Sequence, residues 1–215
     1  MMTEPDVTLT DYGLALENAL LTYILYRQSD SHKSLRAWFA LFFGSTSAAA
    51  LSGGTVHGFF LDEASIGYAI LWPLTLIAIG VTALATWSIA ARVQFSETTA
   101  RWISFVAAVE FAGYSAVVWF VAQTFTVAVA NYLPAAIFLL LAFISLYRRA
   151  DTQRRRIALG LWGLLLTFVG AALQQAEIAP HPRYFNHNAL YHLIQGVALF
   201  MIFLAARELV LIRKP

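Results

Sequence analysis

One apolar run limits what this chain can become more than any other feature. Across residues 102–147 the only acidic or basic side chain is Glu110. A helix crosses the ~30 Å hydrocarbon core of a bilayer with about 20 apolar residues. The run is therefore too long for one crossing, and a water-soluble domain has no interior large enough for it. Its most polar point is Gln123-Thr124-Phe125-Thr126, where it divides into two spans. Only 12% of the 215 residues are charged, against about 25% in soluble domains. The class left is an all-α polytopic membrane protein.

Further apolar stretches at residues 10–26, 35–60, 65–91, 157–176 and 188–211 bring the total to seven spans. There is no internal repeat, low-complexity tract or sign of a second domain, so residues 1–215 read as one seven-transmembrane bundle. The second span is rich in small residues, among them Gly44, Ser45, Ser47, Ser52, Gly53 and Gly54. That composition lets membrane helices approach closely. Gly53-Gly54 either unwinds the helix locally or only permits tight packing. Asn131 and Pro134 are expected to mark a kink in the fifth span. The polar, acidic stretch Met1 to Asp11 has no basic n-region, so the first span is expected to act as its own uncleaved insertion signal.

The basic residues set the orientation. Arg27, Lys33 and Arg36 follow the first span, and Arg92 and Arg101 follow the third. Arg148, Arg149, Arg154, Arg155 and Arg156 follow the fifth, and Arg213 and Lys214 the seventh. The opposite ends carry Arg183 and the acids Glu4, Asp6, Asp11, Asp62, Glu63 and Glu177. Lys and Arg mark the cytoplasmic side, so the N-terminus is expected outside and the C-terminus inside. The same clustering in short loops argues against a nucleic-acid partner for the net charge of +2. The expected partners are membrane lipids, and the expected location is a bacterial inner membrane.

This topology brings His57, His187, His192, Glu17, Gln174 and Gln175 to the outer third of the bundle. Their convergence predicts one polar cavity open to the outer face. Glu110 is the exception, nearer mid-membrane, and reads as an interhelical hydrogen bond on the same helix face as Tyr114. The chain has no Cys, so a metal site must use imidazole, carboxylate or water. Three imidazoles with a nearby carboxylate can hold Zn²⁺ and leave one position for water, which the metal turns into a nucleophile. His187 and His192 are five apart, about 140° around a helix. His187 can join only if it precedes the first regular turn, with Asn186 or His187 near the N-cap. The alternative is that these imidazoles bond Asn, Gln, Tyr or backbone carbonyls and only pin helices together. Glu17 divides likewise between orienting a ligating His or acting as a base, and a simple ion pair or interhelical hydrogen bond.

Asn188-Ala189-Leu190-Tyr191-His192 resembles the seventh-helix motif of the CREST superfamily, which groups alkaline ceramidases with the progestin and adipoQ receptors. That motif has two His four apart after an aromatic-rich approach; here Asn188 stands in the first place and His187 one before it. Ser52 and His57 are similar to the superfamily's helix-2 Ser and His, with a spacing of five where the superfamily has four. The resemblance implies a seven-transmembrane, Zn²⁺-dependent hydrolase of a lipid amide or ester, with His57 and His192 as ligands. The full expectation is a metal held by His57, His187 and His192. Asp62 or Glu17 would orient the water or a His, and Asn188 or Ser52 would polarise the substrate carbonyl. Two other readings use the same cavity. One is a non-catalytic lipid-binding or receptor-like protein. The other is a haem or quinone protein with His57 and His192 as axial ligands.

Overall fold

The computed structural model describes residues 2–28, 32–150, 153–181 and 184–211. Arg183, Arg213 and Lys214 lie outside the described residues. Seven helices follow in order: α1 (Pro5–Arg27), α2 (Lys33–Phe59), α3 (Ile66–Gln94), α4 (Glu97–Phe120), α5 (Phe125–Arg149), α6 (Arg154–Gln175) and α7 (His187–Leu211). Among the described residues the one extended pairing is an isolated bridge between His181 and Phe185. Six helices, α2 to α7, are long and apolar enough to cross a membrane, which makes the chain an integral membrane protein. α1 is not among them, since its 23 residues include Asp11, Glu17 and Asn18.

The long apolar run breaks at residues 121–124, around its most polar point. At two helix starts a serine satisfies a free backbone donor. Ser65 caps α3 by accepting from Tyr68 N at 3.1 Å, and Ser96 caps α4 by accepting from Thr99 N at 3.4 Å. α1 begins at Pro5, where the missing N–H costs nothing. α2 runs unbroken through Gly53-Gly54, and α5 through Pro134. Gly54 therefore serves packing: a Cβ there would stand 2.7 Å from Asp11 Cβ.

The helices do not pack in chain order. α1, α2, α3, α5, α6 and α7 close a ring in that sequence, and α4 lies outside it against α3. Hydroxyls tie the first members together. Ser47 donates to the Ala15 carbonyl at 2.7 Å, Ser45 and Thr82 lie 2.8 Å apart, and so do Ser52 and Thr75. Tyr114 holds α4 in place by donating its hydroxyl to the Leu76 carbonyl at 2.8 Å. Gly80 leaves the room that the Tyr114 ring occupies. The interhelical hydrogen bond expected of Glu110 is thus made by Tyr114; among the described residues none bonds the Glu110 carboxyl.

One end of the bundle gathers the basic residues. Arg92 donates to Ser34 at 2.8 Å and to Ser104 at 2.7 Å, and its guanidinium lies 5.0 Å from the centre of a Trp38 ring. Arg149 donates to Gln94 at 2.6 Å. Above this end Phe39, Phe43, Phe143, Leu199 and Ile202 form a fully buried plug. The opposite half of the ring is hollow.

Candidate functional site

The hollow is a cavity of about 400 Å³ walled by all six ring helices, within the size of small-molecule sites. Along α2 its lining runs from His57 down to Phe42, about 22 Å at 1.5 Å per residue. The small residues Ala49, Ala50 and Gly53 face it, so part of the small-residue stretch leaves space open where close packing was expected. Most of the wall is aliphatic or aromatic. Thr46, Thr82 and Thr167 also line it, but each donates its hydroxyl to its own helix's backbone, at 2.8, 3.0 and 3.1 Å. The inner part of the cavity therefore offers no free donor from these residues.

The polar groups crowd the other end, and the start of α1 organises them. Thr3 N and Glu4 N donate to the Gly58 and His57 carbonyls, at 3.0 and 3.3 Å, and so satisfy the last carbonyls of α2. With its backbone so placed, Glu4 meets His57 Nδ1 at 2.5 Å, a short charge-assisted contact. Two residues on, Asp6 Oδ2 accepts from Asn186 N at 2.9 Å, and Asn186 Oδ1 accepts from Ala189 N at 3.0 Å. Asn186 is thus the N-cap of α7, one of the two positions considered from sequence, and His187 is the first helical residue instead of preceding the first turn.

Asp11 completes the set. It is 5% exposed, lines the cavity and lies 3.3 Å from His192 Nε2 through Oδ1. His192 Nδ1 faces Thr10 Oγ1 at 3.2 Å. The Thr10 hydroxyl also lies 2.8 Å from the Asp6 carbonyl and 3.0 Å from the Val7 carbonyl. Thr10 and His192 Nδ1 are hydrogen-bonded, with the donor set by the imidazole tautomer, and Nε2 faces Asp11. At this degree of burial a neutral pair is favoured over a lone charge. Beside this pair Gln174 donates to Asn188 Oδ1 at 3.0 Å. Gln195, 8% exposed, also lines the cavity, and among the described residues its buried Oε1 has no hydrogen-bond partner.

Of the residues singled out from sequence, His57, His192 and Asn188 reach the cavity lining, as do Gln174 and Gln175. Four do not. His187 opens α7 half-buried and is not part of the lining. Asp62 is exposed in the α2–α3 loop, where its carboxylate accepts from Ala64 N at 3.0 Å. Ser52 is occupied between Thr75 and the Ala48 carbonyl, tying α2 to α3. Glu17 packs on α7, its Oε2 lying 2.8 Å from where a Cβ at Gly196 would be. The carboxylates that meet the imidazoles are instead Glu4 and Asp11, both counted with the outer-face acids in the sequence reading.

The donor set bears on a bound metal. His192 has both ring nitrogens facing α1 groups, and His57 Nδ1 faces Glu4. Among the described residues no three His, Asp or Glu side chains stand together as a metal-holding group. Zinc ligation by His192 would displace Asp11 or Thr10, whereas His57 meets Glu4 through Nδ1 alone.

A family model matches residues 7–210 of the chain, and the chain belongs to that family, a family of unknown function (DUF6962). No curated protein and no solved structure matches it.

Proposed function

We propose that this member of the family binds an amphipathic, lipid-like molecule inside its helix ring. The tail lies along the apolar wall, and the polar end sits among Asp11, His192, Asn188 and Gln195. One observation carries the reading: an elongated cavity lined mostly by aliphatic and aromatic side chains, with Asp11, His192, Asn188 and Gln174 gathered toward one end. An amide, amine or hydroxyl head would exchange hydrogen bonds with those side chains.

The same proposal takes α1 as a seventh span, completing the ring between α2 and α7. The N-terminus is outside and the basic end cytoplasmic, following the charge rule, in a bacterial inner membrane. The polar end then lies at the depth of the outer leaflet, where a lipid head enters.

A hydrolytic reading has one observation in its favour. Asp11 and His192 form a carboxylate–imidazole pair at the cavity wall, which would act as a general base once Thr10 or Asp11 releases a ring nitrogen. It goes with the resemblance to CREST hydrolases of lipid amides and esters. Because both ring nitrogens of His192 are engaged, no step is routed through a metal.

Purification into a mild detergent, lipid extraction and mass spectrometry test the binding reading, with elemental analysis and an absorbance spectrum on the same sample. The expected result is about one amphiphile per chain, lost in Ala50→Trp, which fills the cavity. Protein that is well folded yet carries no stoichiometric amphiphile refutes it. Stoichiometric zinc, or a Soret band, would instead favour the metal or haem alternatives. Release of a fatty acid from an added lipid amide or ester, abolished in His192→Ala, would favour hydrolysis.

A further inference from the structure

α4 alone stands outside the ring. Toward α3 it turns Ala100, Ala107, Tyr114 and Val118, all buried. About a third of the way round its circumference, at 100° per residue, Val106, Glu110, Gly113, Val117 and Phe120 are all exposed. Their 4-3-4-3 spacing is that of a coiled-coil seam, which lays them in one line along the helix. Glu110 lies about 20 Å from the start of α4 at 1.5 Å per residue, near the middle of a ~30 Å hydrocarbon core. A carboxyl turned to lipid tails at that depth is costly, and such groups face a partner. One turn on, a Cβ at Gly113 would meet nothing within 4 Å, so a second backbone can approach closely there.

We propose that this line seats a second copy of the chain, α4 against α4, with the two Glu110 carboxyls hydrogen-bonded to each other. Copies inserted the same way up bring identical residues to identical depth around a twofold axis. A self-partner therefore sets a carboxyl opposite a carboxyl. Two carboxylic acids satisfy each other fully, each donating once and accepting once. A single polar residue in an apolar seam also fixes the register. α4 contributes nothing to the cavity wall, so the pairing leaves that site open and stands independently of what it binds.

The chain has no Cys, so an introduced thiol reports without background. Full-length Val117→Cys in the membranes of the expression host should form a disulfide-linked dimer under mild oxidation. Trp162→Cys, on α6 at a residue 61% exposed, should not. In detergent Glu110→Leu should weaken self-association about tenfold, while Glu110→Gln, whose amide also donates and accepts, should retain it. A melting transition matching the wild type's confirms that Glu110→Leu is folded. Three results overturn the proposal: Val117→Cys cross-linking to its own copy no better than Trp162→Cys, cross-linking only to other proteins, or a folded Glu110→Leu that associates as tightly as the wild type.

Discussion

Gly54→Ala tests how closely α1 is held to α2 at the polar end of the cavity. A Cβ at residue 54 lies 2.7 Å from Asp11 Cβ and 3.2 and 3.3 Å from two atoms of the Tyr12 ring. Carbon atoms settle at about 3.5–4.0 Å, and Asp11 Cβ is fixed to the α1 backbone. The helix must therefore retreat by about 1 Å. Overpacking of this kind costs about 1–3 kcal/mol, while replacing a helical Gly with Ala gains at most about 1 kcal/mol. The net loss is about 1 kcal/mol, or 2–4 °C in melting temperature for a chain of this size. At Gly44 the same change meets only Thr22 atoms, at 3.7 and 3.8 Å, so the helical gain stands alone. The two variants should move in opposite directions when melted by Trp fluorescence in one detergent. Retreat of α1 from α2 also shifts Asp11 relative to His192 on α7, so Gly54→Ala should lose bound amphiphile where Gly44→Ala keeps it. If Gly54→Ala melts at or above the wild type with full occupancy, α1 does not meet α2 there and the site geometry argued from that contact is wrong.

Three other changes probe separate joints. Asp11→Asn keeps a group able to donate to His192 Nε2 and should hold stability within about 1 kcal/mol, whereas Asp11→Leu strands that nitrogen and should cost about 1–3 kcal/mol in chemical unfolding. Asn186→Ala removes the acceptor from Ala189 N and should cost about 1 kcal/mol, with faster hydrogen exchange confined to the first turn of α7. A Ser45→Ala, Thr82→Ala double-mutant cycle should return a coupling of about 0.6 kcal/mol for the hydroxyl pair 2.8 Å apart; additive effects would mean the pair contributes nothing.

Depth could be read from this sequence far better than direction could. Hydropathy counts residues along each span, and the parity of the basic loops assigns each end. Together these bring His57, His192, Asn188, Gln174 and Gln175 to one level, and all five line the cavity. Which way a side chain points within its level is a different quantity, because spans apolar on every side carry little periodicity to betray their neighbours. Ser52 and Glu17 were placed on the right helices but turn to α3 and α7. The exile of α4 from the ring was equally hidden. Asp11 is instructive because a signal did exist. Val7, Asp11, Leu14, Asn18, Leu21 and Leu25 repeat at intervals of four and three, and all are buried on one face of α1. Beginning the first span at Thr10 and grouping Asp11 with the polar stretch Met1 to Asp11 left it counted as an outer-face charge. Pro5 preceding Asp6 marks an earlier helix start, and moving the start there turns that stretch into the first turns of α1. Glu4, Asp6 and Asp11 then cease to be loop charges and become the groups that meet His57, Asn186 and His192. This also changes what the imidazoles can do: a His read as an open ligand among apolar helices is a His already held by a carboxylate.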